Sequence, residues 1–227
     1  MIECNIKRLL DLVLSAIAIV VLSPLLLPVI VVLRFTGEGE VFFSQARVGL
    51  DKTAINILKF ATMLKNSPNV GTGTVTLQND PRVLPIGKFL RRTKINELPQ
   101  LFNIFKGDLS IIGPRPQTQR CFNAFQIETQ NRIITVKPGL SGIGSIFFRH
   151  EEEIMGHQVN PNEFYNEVIM RFKGDLEMWY VSKQTLSVDF KLIFLTGWVV
   201  FGGDVKLAYL LFSDLPPIPE NLSHYFE

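Results

Sequence analysis

The sequence predicts an α+β chain, mainly helical, with one short β-hairpin and an apolar helix at its amino end. Three observations predict it: an uncharged apolar run near the start, alternating apolar residues on either side of a Gly-containing turn, and apolar residues at helical spacing in the later half. With 227 residues, the chain is long enough for one domain of ordinary size. Hydrophobic residues make up 47% of the chain and charged residues 19%. This composition is too apolar for an intrinsically disordered chain and is not that of a collagen-like repeat.

The apolar run covers Leu12 to Leu33, which is 22 residues without a charge. About 20 apolar residues match the ~30 Å hydrocarbon core of a bilayer. A cleaved signal peptide fits less well, because its apolar region is about 7–15 residues long and ends in small residues. The run therefore predicts a retained membrane segment within residues 1–36, followed by a domain over residues 37–227.

The residues alone leave the path of this segment open. Lys7 and Arg8 precede the run and Arg34 follows it, so the positive-inside rule gives no clear orientation. Ser23-Pro24 lies in the middle, where proline bends a helix. Either a kinked spanning helix or a segment that enters and leaves by the same face fits these residues, and the span is the simpler interpretation.

The hairpin and the helix after it follow from local patterns. Val41–Arg47 and Ala54–Phe60 are predicted to pair around a turn at residues 49–52, and residues 66–80 to form a loop. Residues 97–106 are predicted to form a helix with Asn96 as N-cap and Gly107 at its end. Its buried face is expected at i, i+3, i+4 and i+7, on Leu98, Leu101, Phe102 and Phe105.

Two further helices are predicted in the later half. Asn160 can cap the first, with Pro161 at its first position. The apolar stretch Leu192 to Gly203 is too short to span a bilayer, and its aromatic residues suit either a core helix or one at the membrane surface. Before them, Glu151-Glu152-Glu153 is interpreted as a solvated acidic turn.

The distribution of charge indicates the kind of ligand, and the cysteine content indicates the compartment. Residues 82–137 hold 10 basic and 3 acidic side chains, whereas residues 151–227 hold 5 and 12. The basic segment suits phosphate groups, including those of a nucleic acid. Cys4 and Cys121 do not suggest a structural disulfide, and a reducing cytoplasmic setting fits.

One group of residues is suited to binding and reacting with phosphate groups. It combines several cations, a carboxylate at a predicted helix start (Glu97) and an arginine between two prolines (Arg115). Helix N-termini and arginine side chains bind phosphate oxygens, and Mg²⁺ is usually bound by one or two carboxylates plus substrate oxygens. The alternative is structural. Asn96 then only caps the helix, Glu97 only interacts favourably with the helix dipole, and Pro114-Arg115-Pro116 is only a rigid turn.

The chain resembles the bacterial sugar transferases, also called monotopic phosphoglycosyl transferases, over roughly residues 6 to 200. The motifs that carry the resemblance occur in the family's order: Lys7-Arg8, Asp11, Ser23-Pro24, residues 41–49, residues 59–63, Asp80-Pro81-Arg82, Glu97-Leu98-Pro99-Gln100, residues 106–110 and Gly113-Pro114-Arg115-Pro116. The ordered set is highly specific.

The resemblance implies transfer of a sugar-1-phosphate from a UDP-sugar to polyprenyl (undecaprenyl) phosphate, with Mg²⁺, at the start of surface polysaccharide or glycoconjugate assembly. It implies a re-entrant helix broken at Ser23-Pro24, interfacial amphipathic helices, and a catalytic domain on the cytoplasmic face of the bacterial inner membrane. Partners would be the two substrates, the lipid bilayer and a second copy in a homodimer, with no nucleic acid.

The resemblance also implies the site residues. The catalytic pair falls on Asn96 and Glu97, with Glu97 holding the metal ion. Phosphate contacts or support would come from Lys59, Arg91, Asp108 and Arg115.

Asn96 departs from the family, in which an aspartate at this position attacks the phosphate next to the sugar and forms a covalent intermediate. A neutral amide cannot form that acyl phosphate. Ala61 likewise replaces a common arginine. Four explanations stay open: Glu97 is the nucleophile, polyprenyl phosphate attacks directly while Glu97 holds Mg²⁺, the protein is a catalytically silent partner in the pathway, or the asparagine was introduced to trap the enzyme.

Overall fold

The structure is a computed structural model that describes residues 2–67, 80–156 and 158–226, with side chains from residue 5 onward. Its helices are α1 (Ile2–Arg34), α2 (Pro85–Arg92), α3 (Gln100–Lys106), α4 (Gln119–Asn123), α5 (Ile127–Ile133), α6 (Ile143–Phe147), α7 (Glu151–Gly156), α8 (Pro161–Phe164), α9 (Met170–Lys183), α10 (Leu186–Val200), α11 (Leu207–Leu211) and α12 (Glu220–Ser223). Its strands are β1 (Phe42–Val48), β2 (Ala54–Phe60), β3 (Ser110–Ile112) and β4 (Gly139–Ser141). This mainly helical chain with a small hairpin confirms the predicted fold class.

Helix α1 contains the apolar run and continues without interruption past Pro24 and Pro28, so the expectation of a helix broken at Ser23-Pro24 is wrong for the described residues. Its portion Asn5–Arg34 is long and apolar enough to cross a bilayer. Much of its outer surface is exposed apolar side chain, with Val20 71% and Val21 68% accessible. An exposed apolar surface of this extent indicates contact with a membrane or a partner.

The inner face of α1 packs against the rest of the chain along most of its length. Leu22, Leu26 and Leu33, at intervals of four and seven residues, lie in one cluster with Phe60 and Leu90. Because these contacts reach both the middle and the carboxyl end of the helix, α1 lies along the domain.

Polar contacts fix the amino end of α1. The Lys7 ammonium donates to Asp189 Oδ2 at 2.5 Å, and Asp11 Oδ1 accepts from the Ile111 N–H at 2.9 Å. The Arg8 guanidinium donates to the carbonyls of Ile104 and Phe105 at 2.7 and 2.8 Å. Arg8 thus satisfies carbonyls at the end of α3, where a cation is also favoured by the helix dipole.

The hairpin is confirmed, with β1 shifted by one residue from its predicted bounds. Strands β1 and β2 pair antiparallel, and Phe43 lies opposite Lys59. Asn103 ties α3 to β2, because its Oδ1 accepts from the Leu58 N–H and its Nδ2 donates to the Asn56 carbonyl. The predicted loop over residues 66–80 lies largely outside the described residues.

The prediction of a helix over residues 97–106 with Asn96 as N-cap is wrong at its start. Lys94 adopts a left-handed backbone (φ 59°), which leads into a 3₁₀ turn over Ile95–Glu97, and α3 begins only after Pro99. The turn directs Asn96 into a buried position instead of the cap. Gly107 ends α3 with φ 103°, as predicted.

The predicted buried face of this helix is also partly wrong. Leu101 is buried, but the second buried apolar side chain is Ile104. Phe102 and Phe105 are 48% and 46% exposed, because α3 turns its other face toward α1 and β2.

The later helices surround the main core. Pro161 starts α8 as predicted, but Asn160 makes no cap hydrogen bond and donates its side-chain amide to Glu163 at 3.2 Å. In α10, Leu192 and Leu195 are fully buried, whereas a row of aromatic residues on its other face is exposed: Phe190, Phe194, Trp198 and, just after its end, Phe201. The core interpretation is confirmed for the inner face of α10, and the membrane-surface interpretation stays a prediction for the exposed aromatic face.

The second sheet pairs β3 and β4 in parallel through a close backbone approach. A Cβ added at Gly139 would lie 2.1 Å from the Gly113 nitrogen. Such a contact cannot be relieved by a side-chain rotation, so glycine is required where this sheet meets the Pro114-Arg115-Pro116 segment.

Replacing Gly139 with alanine is expected to destabilise the protein by at least about 2 kcal/mol, because the backbones must separate. Thermal unfolding in detergent measures the effect. Gly197→Ala is the matched control, since a Cβ there meets no atom of the described residues within 4 Å and α10 gains about 0.5–1 kcal/mol of helix propensity. Equal melting temperatures for the two variants would contradict the proposed close approach.

Candidate functional site

A cavity of about 770 Å³ lies between the hairpin, the turn that carries Asn96 and the segment after β3. Basic residues dominate the charged side chains that line it, eight against four acidic ones. The basic residues are Arg47, Lys59, Lys65, Arg91, Lys94, Arg115, Arg149 and Lys173. A cavity with this excess of cations suits an anionic ligand.

Glu97 lies at the centre of the charged residues. Its Oε1 accepts from the Lys59 ammonium at 3.1 Å and from Arg115 Nη2 at 2.9 Å, and its Oε2 accepts from Arg115 Nη1 at 3.4 Å. The Glu97 side chain is 14% exposed and that of Lys59 is 15% exposed. One carboxylate is thus held between two cations in a partly dehydrated position.

The charges set the protonation states at this centre. Burial on its own raises the pKa of Glu97, but the charges of Arg115 and Lys59 more than offset it and hold the pKa well below its usual range. Burial lowers the pKa of Lys59 to about 8, against the opposing effect of Glu97. Near neutral pH the centre is therefore an ionised carboxylate with two charged cations, and it carries one net positive charge.

Asn96 is next to this centre and lines the same cavity. It is 6% exposed, and its Oδ1 is buried with no hydrogen-bond partner among the described residues. A buried carbonyl oxygen without a partner costs free energy unless something binds it.

Arg91 lines the cavity but is already paired. Its Nη2 donates to Glu152 of α7, and Glu151 of the same helix accepts from the Lys173 ammonium at 2.5 Å. The acidic residues 151–153 were expected to be a solvated turn, but the first two form ion pairs at the wall of the cavity. The sequence does not show this, because Lys173 and Arg91 are distant from α7 along the chain.

Asp108 lies away from the cavity lining. It accepts from Asn103 Nδ2 at 3.3 Å and pairs with the Lys106 ammonium at 3.2 Å. Asp108 was expected either to contact phosphate or to support the site. Its position allows the second role, because it contacts Asn103, which ties α3 to β2. The structure therefore brings Asn96, Glu97, Lys59, Arg91 and Arg115 together and leaves Asp108 outside.

The oxygen atoms near Glu97 fit a Mg²⁺ site completed by substrate. Among the described residues no group of three or more His, Cys, Asp and Glu side chains could hold a metal ion. Mg²⁺ needs no such group, because it usually keeps several waters and binds one or two carboxylates plus substrate phosphates. The Glu97 carboxylate and the unpartnered Asn96 oxygen are suitable ligands of this kind.

Several cavity residues were not among the expected site residues: Arg47, Lys94, Gln117, Arg149 and Tyr165. Two of them had a usable signal. Arg47 ends the first strand of the predicted hairpin, and Gln117 lies two residues after Arg115. Tyr165 and Arg149 gave none, because both lie outside the motifs quoted above and are found at the cavity only in the folded chain.

The fold and the site are those of a membrane-associated protein whose cavity suits phosphate ligands. The chain belongs to the bacterial sugar transferase family, because the family model matches residues 2–203.

Individual relatives agree with this assignment. The UDP-glucose:undecaprenyl-phosphate glucose-1-phosphate transferase of Escherichia coli (strain K12) is 35% identical over 90% of this chain and 41% of its own length. A UDP-N-acetylgalactosamine-undecaprenyl-phosphate N-acetylgalactosaminephosphotransferase of Aeromonas hydrophila is 33% identical over 84% of this chain and 42% of its own. The exopolysaccharide production protein ExoY of Sinorhizobium fredii is 29% identical over 84% and 83%. The chain thus spans about two fifths of the first two relatives.

Proposed function

We propose that this chain transfers a sugar-1-phosphate from a UDP-sugar to polyprenyl phosphate, the first step in assembling a surface polysaccharide or glycoconjugate. The main observation that supports this proposal is the Glu97 carboxylate, which is held between Lys59 and Arg115 in a cation-lined cavity. Relatives named for transfer to undecaprenyl phosphate support the substrate class.

The chemistry proposed is a single displacement. An oxygen of polyprenyl phosphate forms a bond to the phosphorus next to the sugar, the bond from that phosphorus to the bridging oxygen breaks, and UMP leaves with the electron pair. Lys59 and Arg115 stabilise the charge on the phosphoryl oxygens, which is the main task in phosphoryl transfer.

Asn96 and Glu97 favour this direct route over a covalent one. Asn96 is a neutral amide and cannot act as the nucleophile. Glu97 is a weak nucleophile, because two cations lower the basicity of its carboxylate. Glu97 and the Asn96 oxygen would hold Mg²⁺, which when bound would neutralise negative charge on the phosphates.

The test is UMP release by the full chain in detergent from a panel of UDP-sugars, with polyprenyl phosphate and Mg²⁺ added. Release that depends on both substrates is expected for at least one sugar. An Asp-containing family member is assayed in parallel. Activity of that enzyme with no release by this chain across the panel would refute the proposal.

The second candidate is a catalytically silent membrane partner of other assembly enzymes. Asn96 favours it, since it replaces the family's nucleophile, and Ala61 removes one possible phosphate contact. Productive turnover of any nucleotide sugar eliminates this candidate. Binding without turnover would favour it.

The proposed pH dependence follows from Lys59. Raising the pH from about 7 to about 9 is expected to weaken UDP binding several-fold, because the buried ammonium has a pKa of about 8 and loses its charge over this range. Calorimetric titration of UDP at several pH values measures it. Lys59→Arg keeps its charge and should retain affinity at high pH. If UDP affinity fell equally at high pH in the unsubstituted chain and in Lys59→Arg, the titrating group would not be Lys59.

The membrane arrangement proposed is a re-entrant α1 at the cytoplasmic face of the bacterial inner membrane. Two observations support it: basic residues flank both ends of the apolar run, and both ends of α1 pack on the same domain. The exposed aromatic row of α10 and the exposed Phe102 and Phe105 would rest in the interface.

Cysteine labelling tests this topology in a variant without Cys4 and Cys121. Cysteines introduced at Asn5 and Thr36 should react with an impermeant maleimide from the same side of sealed membrane vesicles. Val20→Cys is the matched control and should react slowly, because its exposed side chain would face lipid. Labelling of Asn5→Cys and Thr36→Cys from opposite sides would establish a span instead.

A further inference from the structure

The cavity contains more unsatisfied polar atoms than the centre at Glu97 accounts for. Among the described residues, seven buried side-chain polar atoms have no hydrogen-bond partner, and four belong to residues that line this cavity: Arg47 Nε, Asn96 Oδ1, Gln117 Nε2 and Ser145 Oγ. Buried polar groups are normally hydrogen-bonded, and exceptions need an explanation. Their concentration in one cavity indicates a polar ligand.

Arg47 is the uncompensated charge of the group. Its Nη1 donates to the Pro116 carbonyl at 3.2 Å and its Nη2 donates to Gln45 Oε1 at 2.6 Å, so both partners are neutral oxygens. Arg47 makes no ion pair with any described residue. Burial, followed by repulsion from Arg115, lowers the pKa of Arg47 to about 10, which still leaves it charged near neutral pH.

A partly buried guanidinium without a carboxylate partner is unusual, because buried charges are normally paired. Lys59 and Arg115 share Glu97, so that centre has its own counter-charge. Arg47 contacts no carboxylate among the described residues, although the charge of Glu97 acts on it from a distance. Its unpartnered Nε donor therefore favours an anion over a neutral hydroxyl group.

Gln117 adds a second free donor beside Arg47. The Val48 N–H donates to the Gln117 carbonyl at 2.9 Å, which joins the end of β1 to the segment after Pro116. The Gln117 residue is 5% exposed, and its Nε2 has no hydrogen-bond partner in the described part of the chain. Because β1 contacts both Pro116 and Gln117, Arg47 and Gln117 are held next to each other and near Arg115.

We propose that Arg47 and Gln117 form a second phosphate-binding subsite, adjacent to the centre at Glu97 and Arg115. Arg47 supplies charge and the Nε donor, and Gln117 supplies a neutral N–H donor. The ligand is a phosphate group, and two sources are possible under the proposed function: the diphosphate of a nucleotide sugar or the phosphate of the lipid carrier. The subsite itself rests on the unpartnered donors, and only the choice of source rests on the proposed function.

Binding measurements on the full chain in detergent test the subsite without requiring turnover. Two ligands are titrated by calorimetry: UDP for the nucleotide source and a short-chain prenyl phosphate for the carrier source. Arg47→Gln and Gln117→Leu are each expected to weaken one of them by at least about tenfold, since each removes a hydrogen bond to a charged group. The ligand that loses affinity identifies the source.

Two controls keep the result interpretable. Arg132→Gln makes the same change of charge at an exposed position outside the cavity and should bind both ligands like the unsubstituted chain. Gln117→Leu removes a donor that no described residue accepts from, so its ligand-free melting temperature should not fall. This variant separates loss of the subsite from loss of the fold, which Arg47→Gln alone would not do.

Unchanged affinity of Gln117→Leu and Arg47→Gln for both ligands would overturn the subsite. Weakened binding in the variants, combined with no UMP release by the unsubstituted chain, would retain the subsite and refute the proposed function. The two proposals therefore fail on different measurements.

Discussion

Replacing Glu97 with glutamine is expected to reduce UMP release by at least about a thousandfold. Glutamine keeps the shape of the side chain but removes the negative charge between Lys59 and Arg115, which lie 3.1 and 2.9 Å from Oε1. The two cations would lose the group that orients them, and the proposed Mg²⁺ site would lose its carboxylate ligand. The measurement is the initial rate of release at saturating UDP-sugar and polyprenyl phosphate.

Two further measurements make this result specific. Glu167→Gln is the matched control and should keep its rate, because Glu167 is exposed and its one ion pair among the described residues is with Arg171. Glu97→Gln should still bind UDP, since two cations without a counter-charge attract phosphate more strongly. A rate like that of the unsubstituted chain would show that Glu97 has no part in the chemistry.

Replacing Asn96 with aspartate is expected to open a second route with a covalent intermediate. The new carboxylate would lie where a buried amide oxygen has no hydrogen-bond partner within the described ranges, beside the centre at Glu97. With UDP-sugar alone, Asn96→Asp should release a burst of about one UMP per protein and gain the mass of a sugar phosphate, the behaviour of a covalent nucleophile. Rapid quench and intact-protein mass spectrometry measure both.

The unsubstituted chain should show neither burst nor adduct without polyprenyl phosphate. Asn123→Asp is the matched control at an exposed position on α4 and should behave in the same way. An adduct on the unsubstituted chain, mapped to Glu97, would replace the direct displacement with Glu97 as the nucleophile.

The parts of the fold that depend on local sequence could be predicted. Alternating apolar residues around a Gly-Leu-Asp-Lys turn located the hairpin to within one residue, and the uncharged run located α1. The start of α3 could not be predicted in this way. Asparagine is a good cap by local preference, but the left-handed Lys94 and the tertiary contacts place Asn96 in the cavity wall instead.

The site could be predicted only as a set of residues, through the ordered motifs. Lys59 and Arg115 are 38 and 18 positions away from Glu97, so no spacing rule predicts that both contact one carboxylate. The ion pairs that hold α7 over the cavity and the free donors of Arg47 and Gln117 were missed for the same reason. They arise where separate segments meet, and an unsatisfied donor is visible only once its neighbours are known.

The packing of α1 along the domain has a consequence for how such a protein would be assayed. Because the helix is fixed at its amino end by Lys7 and Arg8 and at its carboxyl end by Leu33, the proposed contact of α1 with a bilayer would also keep the cavity near the lipid headgroups. A carrier lipid would reach it by diffusion in two dimensions. Turnover should therefore follow the mole fraction of carrier in the bilayer or micelle, and diluting it with inert lipid should slow the reaction even at constant bulk concentration.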